Sequence, residues 1–284
     1  METFLIVMRE SLEAALLVGI LLTTIKKAGR WQDARFVIGG VVAALLLCLF
    51  VLVASRDLSR TLSGPLKTDL DILIFFLAAF FLTTMVVWMR YHGKTLSRNL
   101  SDRVGRILDS GEHWALFLLS FFGVFREGLE TILFLWGIAT QMGEQGSLSL
   151  ELFEGLLGLG AGIGLVVLLF TGLVRIPLQA FFSATSLLLI LFAAGMISAG
   201  VGRLVMIGVL PPIVSQIWDS SRILNEHNLM GGFLADFFGY RSRPSLIVVL
   251  LTFSYMAAMT LWWFLSQKET IKARQVASPE KRRQ

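Results

Sequence analysis

The chain has 284 residues, 55% of them hydrophobic and only 16% charged, where a soluble domain carries about 25% charged residues. Its mean hydropathy is +0.74, and the apolar residues fall in long blocks, which excludes an ordinary soluble protein and points to helices among lipid. The net charge of +5 does not read as nucleic-acid binding, because the excess sits in connecting segments and at the C-terminus, where membrane orientation places it.

A spanning helix needs about 20 mostly apolar residues, and seven segments qualify. The first, 3–25, contains Arg9, Glu10 and Glu13 and has no basic start, so it reads as a span and not as a cleaved signal peptide. The second, 36–55, holds Cys48, the one cysteine, which excludes an intrachain disulfide. The third is 71–90 and the fourth, 114–140, contains Arg126, Glu127 and Glu130. The fifth is 155–174, where Gly155, Gly158, Gly160, Gly162 and Gly164 allow close helix contact. The sixth, 181–203, is expected to end or bend near Gly200. A stretch over 204–243 is expected to fold on the membrane face with a short helix near 213–224, and the seventh span is 244–265.

Lys and Arg set the orientation. The segments 26–35 and 90–113, Arg175 and the tail hold most of them, whereas the loop 141–154 has none and carries Glu144, Glu151 and Glu154. The positive-inside rule then gives N-out, C-in. The expected fold is an all-α integral membrane protein of seven transmembrane helices. Residues 1–267 form the membrane domain, and 268–284 form a basic cytoplasmic tail anchored at the lipid surface.

The first and fourth spans share one motif, Arg9-Glu10-Ser11-Leu12-Glu13 and Arg126-Glu127-Gly128-Leu129-Glu130. The likeness extends over 4–16 and 121–133. The copies lie an odd number of spans apart, in the first and the fourth, so the two helices cross in opposite directions. That is the pattern of an inverted repeat of three helices, 1–3 and 4–6, with a seventh added. Both copies lie near mid-membrane, where each charge costs about 2.5–3.5 kcal/mol on insertion scales. Such groups face inward, toward each other, a cavity or an ion.

Glu10 and Glu13 share one helix face at i,i+3, and Glu127 and Glu130 do likewise. Helices facing each other would bring four carboxylates to one axis, an oxygen set suited to hard cations. Arg9 and Arg126 sit at i,i+4 from Glu13 and Glu130, so self-satisfied salt bridges are the competing structural account. The residues leave two functional rivals open. One is a carrier of another divalent ion such as Mn2+ or Pb2+. The other is a membrane di-iron enzyme, whose sites pair Glu with Glu-x-x-His; no His lies near either motif.

With R-E-x-L-E in helices 1 and 4 of a seven-helix chain, the sequence resembles the oxidase-linked high-affinity iron permeases of fungi and, more closely, their bacterial relatives in the iron/lead transporter family. Val87-Trp88-Met89-Arg90, Ala180-Phe181-Phe182, Ala193-Ala194-Gly195, Trp218-Asp219 and Phe238-Gly239-Tyr240 extend the likeness over nearly the whole chain. The resemblance implies an iron permease of the cytoplasmic membrane in which Glu10, Glu13, Glu127 and Glu130 bind iron in transit. Iron is then the cargo, and no cofactor or catalytic residue is implied. It also implies an extracytoplasmic oxidase or iron-binding protein as partner. One departure is clear: where relatives carry E-x-x-E at the outer start of helix 3, this chain has Thr68 and Asp71. Glu151 and Glu154 form an E-x-x-E elsewhere and, with Asp71 and Asp219, are candidates for an outer entry site. A helix N-terminus alone also favours carboxylates at 151 and 154.

Overall fold

The computed structural model describes residues 2–92, 96–142, 148–172, 178–224 and 229–277. Among them it contains nine α-helices and no strand. These are α1 (Glu2–Lys27), α2 (Ala34–Thr61), α3 (Pro65–His92), α4 (Leu96–Ser110), α5 (His113–Met142), α6 (Leu148–Phe170), α7 (Leu178–Met206), α8 (Leu229–Phe238) and α9 (Leu246–Ala277). Each of the seven expected spans falls on a helix. Five segments are long and apolar enough to cross a membrane: Trp31–Ser59, Pro65–Arg90, Leu152–Phe170, Thr185–Met206 and Leu246–Ser266. Helices α1 and α5, at 26 and 30 residues, match these in length but carry the charged motifs.

The chain divides into two compact units, Met1–Leu189 and Ile190–Gln284. In the first, α1 packs along α6 and α2 along α5, while α1 and α5 meet each other; α3 packs on α5 and α4 on α1. Close approach depends on small residues at helical spacing. A Cβ on Gly158 would meet Phe4 O at 2.6 Å, and one on Gly162 would meet Met8 O at 2.6 Å and collide with Ser11 Oγ. Gly160 and Gly164 face open space. Of the five glycines, Gly158 and Gly162 lie hard against α1, a Cβ on Gly155 would make only ordinary contact with Thr3 at 3.9 Å, and Gly160 and Gly164 lie off the contact.

The segment 90–113, read from the sequence only as a basic connection, contains α4. Its apolar side seats Val104 and Leu108 against Leu21, Ile25, Val37 and Leu116, all at most 3% exposed. Thr24 Oγ1 donates to Ser101 Oγ at 3.3 Å. Asp33, just before α2, joins this end of the bundle by an ion pair with Arg30 (2.9 Å) and a contact with His113 Nδ1 (3.1 Å). Arg30 Nη1 also donates to Leu108 O at the end of α4.

In the second unit two expectations are corrected. Residues 213–224 form no helix, and two of their backbone donors cross to 242–244: Ile217 N–H to Pro244 O and Ser220 N–H to Ser242 O, each at 3.0 Å. Leu246 N–H returns the pairing to Val214 O at 3.0 Å, and Ile213 adopts a positive φ of 61° that breaks helical continuation. The short helix is α8 instead. Helix α7 passes Gly200 and Gly202 and ends at Met206; a helix interior tolerates isolated glycines at about 1 kcal/mol each. Gly239 closes α8 in the left-handed region (φ 64°), and its carbonyl accepts a hydrogen bond from Ser198 Oγ at 2.9 Å.

Alanine at Gly162 or Gly158 should lower the thermal midpoint in detergent, at a cost of about 1–3 kcal/mol for overpacking against backbone. Alanine at Gly160 or Gly164 should leave it unchanged or raise it. Equal effects at all four positions would contradict the close α1–α6 contact.

Candidate functional site

The two motifs are single helical turns, so each presents Arg, Glu and Glu in a geometry fixed by 3.6 residues per turn. The meeting of α1 and α5 turns those two rows toward one volume. One oxygen each of Glu10, Glu127 and Glu130 lies within 4.8 Å of the others. The three residues are 2%, 9% and 5% exposed. Glu13 stands beside them, bound to Arg9 Nη2 at 2.8 Å.

Arg9 is 2% exposed and holds its own helix's acids: Nη1 donates to Glu10 Oε1 at 2.8 Å and Nη2 reaches Glu13. Arg126 Nε donates to Glu130 Oε1 at 2.8 Å and lies 4.0 Å from Glu127. Its side chain is 46% exposed, and its guanidinium lies over the Trp88 ring at 5.4 Å. The i,i+4 ion pairs of the structural account therefore exist in both copies. They do not exhaust the carboxylates. Glu10 Oε2, Glu127 Oε2 and Glu130 Oε2 are buried without a hydrogen-bond donor among the described residues, as is Arg9 Nε without an acceptor, whereas Glu13 Oε1 is the oxygen that faces Arg9 Nη2. Buried polar atoms are ordinarily satisfied, and acid oxygens left bare and convergent are what a cation with empty ligand positions would fill. Among the described residues the group contains carboxylates and no thiolate or imidazole, an oxygen set of the hard-cation type.

Among the described residues of the first unit, neither Asp71 nor Glu154 belongs to the three-carboxylate group. Asp71, in the second turn of α3, is 4% exposed. Glu154 is partly exposed on α6, and the side chain of Glu151 lies outside the described residues. Asp219 belongs to the second unit, paired with Arg243 at 3.0 Å and accepting from Ser221 N–H (3.0 Å) and Ser221 Oγ (2.6 Å). Those hydrogen bonds from Ser221 and Arg243 hold its carboxyl down to about 2. A carboxyl lowered in this way stabilises the fold above its ordinary value of 3.8 and loses that contribution as pH falls toward 2. Met85 and Trp88, both on α3, touch the two arginines; the sequence offers no spacing that marks Met85 among the ten methionines.

Arg9→Gln should destabilise the protein by about 3 kcal/mol or more, since it strands two buried carboxylates, and Arg126→Gln by clearly less. Thermal unfolding in detergent checks the order, and an equal or reversed order would contradict the enclosure of Arg9. Asp219→Asn should shift stability equally at pH 5 and pH 7, because Asp219 is ionised at both.

No solved structure matches the chain. Three relatives are each called ferrous iron permease EfeU. That of Yersinia pestis is 31% identical, with 94% of both chains covered. That of Yersinia pseudotuberculosis is 31% identical, covering 94% of this chain and 93% of its own. That of Escherichia coli O6:K15:H31 is 32% identical, covering 89% and 91%. The family model described as Iron permease FTR1 family matches residues 1–267. A helical membrane chain matched over that length belongs to the iron permease FTR1 family, whose named relatives are transporters and not enzymes.

Proposed function

We propose that this permease imports Fe2+ across the cytoplasmic membrane along a path between α1 and α5, with Glu10, Glu13, Glu127 and Glu130 as transit ligands. The observation that carries this reading is the convergence of Glu10, Glu127 and Glu130 from two helices within 4.8 Å, with an unpaired oxygen on each. With four carboxylates and two guanidinium groups ionised, the site carries two net negative charges. A divalent ion neutralises it and a trivalent ion leaves an excess positive charge, at a depth where uncompensated charge is expensive. The names of the EfeU relatives point to the ferrous ion as well.

The membrane arrangement we propose has seven spans, α1, α2, α3, α5, α6, α7 and α9, with the N-terminus outside. Residues 1–267 act as one permease domain, and the basic tail 268–284 lies on the cytoplasmic face. The five long apolar segments support it directly, and the positive-inside distribution of Lys and Arg supports the orientation. In this arrangement α4 is an interfacial helix on the inner side, its basic residues toward lipid headgroups. Helices α1–α3 and α5–α7 are then inverted repeats, and alternate exposure of the site follows from rocking of one repeat against the other. Glu151 and Glu154 open α6 on the outer side and are proposed, with Asp71, to collect the ion. Asp219 is less available, being engaged by Arg243 and Ser221. An extracytoplasmic oxidase or iron-binding protein is the proposed donor of iron.

Iron uptake into proteoliposomes tests the site. Glu10→Gln, Glu127→Gln and Glu130→Gln should each lower the initial rate by about tenfold or more, with Glu13→Gln less severe. Near-normal uptake by all four variants would defeat the assignment. Glu151→Gln with Glu154→Gln should raise the half-saturating iron concentration without changing the maximal rate. An unchanged value removes those residues from the entry path.

A further inference from the structure

Four glutamates alone do not explain selection of iron. An oxygen set suits Mg2+, Ca2+ and Mn2+ as well as Fe2+, so a site of this kind needs a further donor to discriminate. The described structure holds one atom of softer character against the cluster. Met85, on α3, is 2% exposed, and its Sδ lies 3.0 Å from Arg9 Nη1. The same nitrogen donates to Glu10 Oε1 at 2.8 Å, so the thioether and a carboxylate oxygen of the site stand around one nitrogen.

As a structural arrangement this contact is poor. A thioether is a weak acceptor, yet it takes a guanidinium N–H while one oxygen on each of Glu10, Glu127 and Glu130 is buried without a donor. Leaving such oxygens unmet costs more than leaving a sulfur unmet. The arrangement makes sense if the oxygens are reserved for an ion and the sulfur is part of the same ligand set. Sulfur costs little to bury, adds no charge to a site already negative, and sits on a side chain with three rotatable bonds.

Resting on the carboxylate path proposed above, we infer that Met85 Sδ is a ligand to the ion in transit and biases the site toward Fe2+ and softer divalent cations over Ca2+ and Mg2+. A thioether coordinates borderline and soft metals and is a poor substitute for water on hard ones. Its loss should therefore change the order of preference among metals and not merely the rate.

The test is radiolabelled Fe2+ uptake into proteoliposomes under reducing conditions, competed by Cd2+ as the soft probe and by Ca2+ and Mg2+ as hard ones. Three variants are compared: Met85→Leu, which keeps the volume, Met85→Gln, which restores an acceptor for Arg9 but offers oxygen, and Glu10→Gln. If sulfur is a ligand, Cd2+ competes several-fold more weakly against both Met85 variants than against wild type. Ca2+ and Mg2+ then compete more strongly against Met85→Gln, which still transports. If Met85 only satisfies Arg9, Met85→Gln behaves as wild type toward every metal, and the inference is overturned. Unchanged Cd2+ competition in Met85→Leu overturns it equally. Should Met85→Leu fail to assemble, Met85→Gln alone decides. Glu10→Gln separates the two levels: if it abolishes uptake while both Met85 variants keep the wild-type metal order, the sulfur falls and the carboxylate path stands; if it and the other three Glu→Gln variants transport normally, the path itself falls.

Discussion

Burial of charge inside an apolar helix bundle is the constraint from which the first unit takes its shape. Glu10, Glu127, Glu130 and Arg9 are each at most 9% exposed, within two helices that otherwise present apolar side chains. Ionised groups placed so deep are tolerated when they answer one another, so α1 and α5 are obliged to turn their motif faces inward. Once they do, the remaining faces of both need helical partners. Helix α6 covers α1, and the absence of side chains at Gly158 and Gly162 brings the backbones together. Helix α2 covers α5, with Gly40 lying against Phe117 and Ser120 and with Cys48 against Gly128. Helix α3 supplies what touches the arginines, Met85 to Arg9 and Trp88 to Arg126.

Much of this was legible because hydrophobic blocks and mid-block charges are strong signals. Each of the seven blocks coincides with a helix, and the two five-residue motifs named three of the residues that converge. What escaped the sequence escaped for physical reasons. Helix α4 is short and carries Arg98, Asp102, Arg103, Arg106 and Asp109 among its apolar residues, so it has periodicity without a block, and a search for blocks passes over it. The segment 213–224 has helix-compatible residues, but the amides of Ile217 and Ser220 bond to 242–244, a tertiary choice that local propensity does not contain. Met85 is one methionine among ten, and only the packing of α3 beside Arg9 distinguishes it.

The two motif copies are alike in sequence and unlike in surroundings. Arg9 is enclosed and makes contacts with Glu10, Glu13 and Met85. Arg126 is half exposed, bonds Glu130 and stacks on Trp88. A guanidinium enclosed by three partners has already lost its rotameric freedom, whereas one half exposed, with one close ion pair to Glu130, a longer one to Glu127 and a ring face, retains part of it. On the carboxylate path proposed above, an entering ion would compete with both arginines for the same carboxylate oxygens. On α1 that competition must undo a closed set of buried contacts, each strong because water is excluded. On α5 water can take the place of the carboxylate at Arg126. On that proposal, Glu127 and Glu130 would be the acids that reorient at lower cost, and α1 with Arg9 the more fixed side of the site. An exact repeat would have two equivalent half-sites and no preferred order of ligand exchange; unequal enclosure of the two arginines gives the order a physical basis.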